Sequence, residues 1–315
     1  MIPILIIAYN RPDSLLRLLD SIRQQAHGKI FIHCDGPRNE EDAGSKMTQK
    51  LVRELYQEGF LEKYYLQEEN LGLMDSVHFA ADWFFEFNEF GLVLEDDLVL
   101  NPPVLSEAEI LFTELKSNPS VGVFCLANPL PRKVFNKFEG SYWFSNFFVS
   151  YAWATSSENW KESRRTILDT DIQEISGFMR SHFGLVVERN FSKFLKMEAL
   201  KETKNRKKCS FAWRFTIDQI LNHKKVIISK HNRVGYSGFG ANSTNTSEDE
   251  IWGSDFGKLV DKDFYQWVQP QSEQPSDAID GYFVRDYKII RSALVFLAIR
   301  TRIQRLIDRK DMFRH

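Results

Sequence analysis

The chain has 315 residues, of which 43% are hydrophobic and 27% are charged, a globular composition that excludes wholesale disorder. Forty-one basic residues against forty-three acidic ones give a net charge near -2, which excludes a protein built to coat nucleic acid. The cysteines form no CxxC motif, so they predict a reducing compartment, the cytoplasm, and neither a disulfide framework nor a zinc site; they are Cys34, Cys125 and Cys209.

The first apolar run is short and has no basic residue ahead of it. It ends where Asn10, Arg11 and Pro12 follow, so it predicts a buried strand and not a signal peptide. No stretch reaches the roughly 18 to 20 uncharged apolar residues that a membrane-spanning helix needs. A spanning helix is therefore not expected.

Strand and helix patterns alternate through the first 126 residues. This alternation predicts an α/β fold of the Rossmann-like, nucleotide-binding type, with a mostly parallel sheet flanked by helices. The predicted strands are 4–8, 29–34, 64–67, 91–94 and 121–126. The predicted helices are one capped by Asp13 or Ser14, then 47–56, 71–87 and 104–115.

Beyond residue 126 the pattern loosens into aromatic loops between residues 142 and 160. Helices are predicted at 157–165, 184–201 and 215–223, with a strand at 226–229. A run rich in Gly, Asn, Ser and Thr follows at 235–247, which suits either the wrapping of a ligand or simple mobility.

A basic amphipathic helix is predicted at 287–310, near the C-terminus. Two interpretations of it stay open. The helix lies in an anionic membrane interface, which would make the protein peripheral on the inner face of the plasma membrane, or it docks on the domain with its basic face in water.

The strongest local signal is the run LVLEDDLVL. Its three carboxylates, Glu95, Asp96 and Asp97, follow a buried strand, and ligands of open α/β sheets bind at the carboxyl ends of strands. Strand alternation places Glu95 and Asp97 on one face and Asp96 on the other. Such oxygen ligands suit Mn²⁺ or Mg²⁺ together with a nucleotide diphosphate. The alternative, solvated loop residues or a helix cap, stays open.

Two more polar residues follow predicted strands. Asp35 is either a turn residue of Asp-Gly-Pro or an acceptor for the N–H groups of a base, and Arg11 either contacts a phosphate or lies in solvent. Together with the acidic run they predict a cleft. The sequence contains no GxGxxG after the first strand, no HxxxH and no GxSxG, which disfavours a dinucleotide dehydrogenase, a zinc hydrolase and a serine hydrolase.

Five segments, taken in chain order, resemble bacterial glycosyltransferases of the GT-A type related to N-acetylglucosaminyltransferase I. They are PILIIAYNRPDSLLRLLDSI, FIHCDGP, ENLGL, LVLEDDLVLNP and SYAWATSSENW. The resemblance covers residues 1–240. It implies a metal-dependent, inverting transfer from a UDP-sugar, such as UDP-GlcNAc, to a glycan or lipid-linked acceptor in surface polysaccharide synthesis. It divides the chain into a nucleotide-sugar half (1–126), an acceptor and catalytic half (127–260) and a tail (261–315).

The resemblance also implies roles for individual residues. Asp97 matches the direct manganese ligand, Asp35 the residue that contacts uracil, and Arg11 the arginine that holds the nucleotide. Glu95 and Asp96 would lie beside ribose, phosphates and donor sugar.

The aromatic segment around Trp153 resembles the stretch that lines the donor and acceptor cleft. In this chain Ala152 stands where the family usually has a glycine. The run SGFGANST, with Gly238 to Asn242, resembles a family loop that closes near the donor phosphates.

The general base is the weakest match. The related segment reads SFAWRFTID, with Ala212 and Trp213 where acids are expected, and Asp218 is the nearest carboxylate and the predicted base. The other candidates are Asp169, Asp171 and Glu158. Two alternatives stay open: a sugar nucleotidyltransferase and a non-catalytic binder of nucleotide sugars or carbohydrate. Sugar nucleotidyltransferases usually have a glycine-rich basic loop after the first strand, and the segment AYNRPDSL of this chain lacks it.

Overall fold

The computed structural model describes residues 1–128, 130, 139–162, 169–204, 210–236 and 267–286. Its strands are β1 (Ile4–Ala8), β2 (Ile30–Cys34), β3 (Lys63–Leu66), β4 (Phe90–Glu95), β5 (Leu98–Leu100), β6 (Val121–Cys125), β7 (Tyr142–Ser145), β8 (Trp153–Ser156), β9 (Lys225–Ser229) and β10 (Val234–Tyr236). Its helices are α1 (Pro12–Arg23), α2 (Ala43–Gln57), α3 (Leu73–Phe85), α4 (Val104–Ser117), α5 (Ser157–Lys161), α6 (Asp169–Phe183), α7 (Leu185–Lys204), α8 (Phe211–Leu221) and α9 (Asp277–Asp286).

Eight of these strands form one sheet in the order β3-β2-β1-β4-β8-β6-β9-β7. Strands β1 to β4 are parallel neighbours, and β6 pairs in parallel with β9. Strand β8 lies antiparallel between β4 and β6, and β7 is antiparallel at the edge. The predicted α/β class, with a mostly parallel sheet flanked by helices, is confirmed. The carboxyl ends of six strands meet at one edge of this sheet.

The central strands are apolar because both of their faces are covered. Every residue of β1 and β2 is buried, as expected for parallel strands with helices on both sides. Helix α1 turns Leu15, Leu18 and Ile22 inward at three- and four-residue spacing.

The start of α1 differs from the prediction. The cap at Asp13 or Ser14 is wrong: Arg11 occupies the N-cap position, and Pro12 begins the helix. Proline is suited to this position because its missing N–H has no helical partner there and its φ is already helical.

The loops predicted for the aromatic region contain two strands, β7 and β8. Both have only four residues, too few to show a strand period, and both are almost fully buried. Helices α6 and α9 were also not predicted, and α8 begins four residues before the expected start at residue 215.

Helix α9 is anchored to the end of β7 by Asp280, which is fully buried. Its carboxylate accepts hydrogen bonds from the Ser145 hydroxyl at 2.5 Å and from the Asn146 side-chain amide at 2.7 Å. The predicted helix at 287–310 and most of the run at 235–247, including 238–242, lie outside the described residues. The division at 126 and 260 stays a prediction. Among the described helices, none combines the length and apolar character needed to cross a bilayer.

Candidate functional site

The acidic turn at the end of β4 is fastened to the chain that leaves β1. Strands β1 and β4 pair in parallel, with Ile7 opposite Glu95. The backbone N–H of Tyr9 donates to Asp96 Oδ2 at 2.9 Å, and the N–H of Asp96 donates to the carbonyl of Ile7 at 3.1 Å. The predicted meeting of these two strand ends therefore occurs.

Asp97 lies at the centre of a three-residue cluster. Its carboxylate forms an ion pair with the guanidinium of Arg11. The hydroxyl of Tyr236 hydrogen-bonds to both Asp97 and Arg11. Tyr236 arrives there because β10 pairs antiparallel with β5, which puts Tyr236 opposite Leu98, the residue after Asp97. Tyr236 is not among the site residues predicted from the sequence, although it belongs to the Gly-, Asn-, Ser- and Thr-rich run at 235–247.

Three acidic side chains and one basic side chain meet at this site. Burial, followed by the charge of Asp97, raises the pKa of Glu95 to about 8 and that of Asp96 to about 7. Burial also raises the pKa of Asp97, against the opposing effects of Arg11 and Tyr236. Burial disfavours the charged form of Arg11, yet the nearby Asp97 and Asp96 outweigh it and raise the pKa of Arg11. Three acids thus face one guanidinium.

These residues fit a hard divalent cation. The donors are all oxygen atoms, which Mg²⁺ and Mn²⁺ prefer. Within the part of the chain that the structure describes, no group of three or more His, Cys, Asp and Glu side chains is arranged to hold a metal ion. The protein would therefore contribute one or two carboxylates, Asp97 first, and a bound diphosphate would contribute further oxygens, the usual arrangement for Mg²⁺.

Asp35 is buried at the end of β2, where its carboxylate accepts four hydrogen bonds. Oδ1 accepts from the backbone N–H groups of Gly36 and Leu71, both at 2.9 Å. Oδ2 accepts from the Asn70 side-chain amide at 2.9 Å and from the Gly72 N–H at 3.2 Å. The motif ENLGL thus supplies three of the four donors, and these bonds fix the loop before α3. The uracil contact of Asp35 stays a prediction.

Trp153 lies in the core of this structure. It is 2% exposed, and its ring packs against Trp160, Phe211 and Phe215 at centroid distances of 6.1, 5.6 and 5.3 Å. Its role in lining the cleft stays a prediction. In the same segment, the ring of Tyr151 contacts the ring of Tyr236 at 5.7 Å and so adjoins the Asp97 cluster.

The predicted base, Asp218, is 1% exposed, and it lies one helical turn after the buried Arg214 on α8. Burial lowers the pKa of Arg214, while Asp218, Glu198, Asp75 and Asp171 oppose this shift, in that order. The structure therefore brings two of the base candidates, Asp218 and Asp171, to the same buried guanidinium.

The position of Asp218 along α8 is unfavourable for direct contact with an acceptor. A short turn joins α8 to β9, so the helix is antiparallel to the strand. The first residue of α8 therefore lies at the edge of the sheet where β9 ends. Asp218, the eighth residue, lies about 10 Å along the axis from the first.

Glu158 lies away from the acidic turn. It lies on α5 after β8, and because β8 is antiparallel to β4, with Ser156 opposite Phe90, α5 lies at the other edge of the sheet. The side chain of Asp169 lies outside the described residues.

No known protein family matches the chain, and no curated protein matches it. Similar solved structures include residues 1–349 of S. aureus TarS, with 14% identity, a TM-score of 0.46, and coverage of 76% of this chain and 61% of that chain. The mannosyltransferase PcManGT from Pyrobaculum calidifontis, in complex with GDP-Man and Mn²⁺, has 13% identity, a TM-score of 0.39, and coverage of 70% and 68%. GalNAc-T7 with UDP, GalNAc and Mn²⁺ has 10% identity, a TM-score of 0.48, and coverage of 75% and 44%.

The chain thus spans less than two thirds of TarS 1–349 and of GalNAc-T7. At these identities and TM-scores the likeness assigns no substrate or activity to this chain.

Proposed function

We propose that the chain is a glycosyltransferase of the GT-A type that transfers a sugar from a UDP-sugar. The observation that carries this proposal is the cluster at the adjoining ends of β1 and β4. There Arg11, Asp96 and Asp97 combine an excess of carboxylates with one guanidinium. An oxygen-rich site with one fixed cation suits a diphosphate that binds together with a divalent ion.

Asp97 would be the direct ligand of Mn²⁺ or Mg²⁺, since it lies at the tip of the acidic turn beside Arg11. When bound, the metal would stabilise negative charge on the departing diphosphate. Arg11 would pair with a phosphate oxygen, and Glu95 and Asp96 would border the ribose and donor sugar. Asp35, held by the loop before α3, would face the uracil. The acceptor, in this proposal, is a glycan or a lipid-linked sugar of surface polysaccharide synthesis.

The transfer would be inverting, with a carboxylate that removes the proton of the acceptor hydroxyl as oxygen attacks the anomeric carbon. Asp218 is the base assigned from the sequence, and Asp171, 4% exposed, is its rival beside Arg214. A base must come within hydrogen-bond reach of the hydroxyl. The variants Asp218→Asn and Asp171→Asn, compared in single-turnover rates, decide between them, because only the loss of the true base slows chemistry while donor affinity is kept.

A Mn²⁺-dependent panel of nucleotide sugars tests the proposal. We expect one UDP-sugar to stabilise the protein against heat and to be slowly hydrolysed to UDP, and we expect Asp97→Ala to abolish both effects. Asp280→Asn is the matched control, because Asp280 is another buried aspartate but lies beside β7. Unchanged metal-dependent binding in Asp97→Ala would contradict the metal assignment, and no response to any nucleotide sugar would contradict the donor class.

A non-catalytic binder of nucleotide sugars is the second candidate. It is favoured by Ala212 and Trp213 at the start of α8, where acids were expected, and by the burial of Asp218. Binding of a UDP-sugar without turnover, across a broad panel of acceptors, would support the binder and contradict the enzyme.

A further inference from the structure

Helix α7 exposes large apolar side chains along its outer face. Val186 is 56% exposed, Met197 56% and Leu200 52%. Among the residues that the structure describes, α7 packs through its other face: Phe191 is buried, and its ring contacts the ring of Trp213 on α8 at 5.3 Å.

Three exposed cations share this outer face: Arg189, Lys193 and Lys196. At about 100° of rotation per residue, they and the three apolar residues fall within an arc of about 100°. Among residues 185–201, no acidic side chain lies in this arc. Glu188 lies outside the arc but borders the same groove as Lys196, and Glu198 is buried and paired with Lys201 at 2.5 Å.

The exposed face of α2 differs in charge pattern. It also carries three cations, Lys46, Lys50 and Arg53, but one acid, Glu54, lies among them. Lys50 is ion-paired with Glu54 at 3.6 Å, and Lys46 donates to the carbonyl of Glu40 at 2.7 Å. Mixed charge of this kind is typical of a solvated helix face.

We propose that the outer face of α7 docks on an anionic phospholipid surface. The cations would contact headgroup phosphates, while Val186, Met197 and Leu200 would enter the boundary between headgroups and acyl chains. The three cations are complementary in charge to a negative surface. The apolar side chains between them favour a bilayer over a dissolved polyanion. This surface is distinct from the predicted helix at 287–310, and the inference does not rest on the proposed glycosyltransferase activity.

Vesicle flotation of the full chain, without nucleotide sugar, tests the proposal. One set of vesicles contains phosphatidylglycerol and phosphatidylcholine in equal amounts, and the other contains phosphatidylcholine alone. We expect binding to the anionic vesicles only, and binding that weakens with salt. The triple variant Arg189→Gln, Lys193→Gln, Lys196→Gln should weaken binding by roughly 100-fold, since each cation near such a surface contributes about fivefold.

The matched control is the triple variant Lys46→Gln, Lys50→Gln, Arg53→Gln on α2. It removes the same number of charges from a helix of similar exposure, and we expect less than about a twofold change. A third variant, Met197→Ser with Leu200→Ser, should weaken binding while the salt dependence is kept. Thermal unfolding of each variant confirms that it is folded.

Three results would overturn the proposal. The first is an equal loss in the α7 and α2 variants, which would indicate net charge alone. The second is full binding in the α7 variant together with loss in Arg300→Gln, Arg302→Gln, Arg305→Gln, which would assign the contact to the C-terminal segment. The third is binding to duplex RNA that depends on the α7 cations, with no binding to either set of vesicles.

Discussion

The guanidinium of Arg11, at the start of α1, is ion-paired with the carboxylate of Asp97, in the turn after β4. The side chain of Asp97 is 6% exposed and that of Arg11 is 23% exposed, so the pair is largely shielded from solvent. A fixed cation thus already neutralises the carboxylate that we assign to the metal. Arg11 and a divalent ion would compete for Asp97 until a diphosphate provides Arg11 with other partners.

Arg11→Gln should therefore lower the free energy of unfolding of the metal-free protein by about 2 kcal/mol, because a buried carboxylate loses a charged partner. Mn²⁺ should stabilise this variant more than the wild type, since no guanidinium has to leave Asp97. Denaturant unfolding in EDTA and in Mn²⁺ measures both effects. Arg23→Gln, which breaks the exposed pair with Asp20, is the control and should cost less than about 0.5 kcal/mol. Equal losses in the two variants, or a smaller Mn²⁺ effect in Arg11→Gln, would contradict this account.

Tyr236→Phe should weaken Mn²⁺ binding by about tenfold, because it removes a hydrogen bond that orients a ligand carboxylate while the ring stays in place. Titration with Mn²⁺ alone, followed by electron paramagnetic resonance, measures the affinity without donor or acceptor. Tyr151→Phe is the control: its ring packs on Tyr236, but the hydroxyl bonded to Asp97 is kept. The idea fails if both variants bind Mn²⁺ equally well.

The sequence predicted those parts of the molecule that repeat a local pattern. Strand β1 was placed without error, and the sequence also predicted that Arg11 and the acidic run lie together at the ends of strands. The strand order that brings them together, β1 paired with β4, was not predicted. Tyr236 could not be predicted, because its place depends on a three-residue strand pairing with β5, and so short a strand has no period to detect.

The burial of Trp153 and Asp218 also could not be predicted from the sequence. Nothing local distinguishes a tryptophan on a cleft wall from one in the core, and only the insertion of β8 between β4 and β6 puts Trp153 against Phe215. Likewise, Asp218 on α8 is buried beside Arg214 because α6, α7 and α8 pack together. The packing of these three helices was not predicted from the sequence.

Asp35→Asn should cost about 2 to 3 kcal/mol of stability. The NH₂ group of the new asparagine would replace one carboxylate oxygen, and it cannot accept the hydrogen bonds that Asn70 and Gly72 now donate to that oxygen. Urea unfolding measures the loss. Asp20→Asn, at an exposed position on α1, should stay within about 0.5 kcal/mol of the wild type. If Asp35 also contacts uracil, the affinity for UDP falls further when it is measured well below the unfolding transition. A loss within the range of the Asp20 control would refute the structural role.

Asp280 should make stability depend on pH. Burial raises its pKa to about 6 in the folded protein, against about 3.9 in an unfolded chain. Between these values the folded state holds a proton that the unfolded state has released, so stability falls as pH rises from about 4 to about 6, by about 3 kcal/mol at most. Asp280→Asn, which is neutral at every pH, should lack this slope. Unfolding free energies at several pH values measure it, and parallel profiles for both proteins would contradict the prediction.

Ala152 adopts a φ of 50°, a left-handed conformation that favours glycine. The glycosyltransferase family that the sequence resembles usually has a glycine at this position. The carbonyl of Ala152 accepts the N–H of Leu126 at 2.8 Å, which holds this backbone in place. Ala152→Gly should be nearly neutral, because relief of about 1 kcal/mol of backbone strain offsets the loss of a buried methyl group, about 0.8 kcal/mol. Ala154→Gly is the control: it removes an equally buried methyl from the middle of β8, where no strain is relieved, and should cost about 1.5 kcal/mol. Thermal unfolding compares the two. Equal losses, or a larger loss at Ala152, would mean that the surrounding core, and not the backbone angle, sets the cost at Ala152.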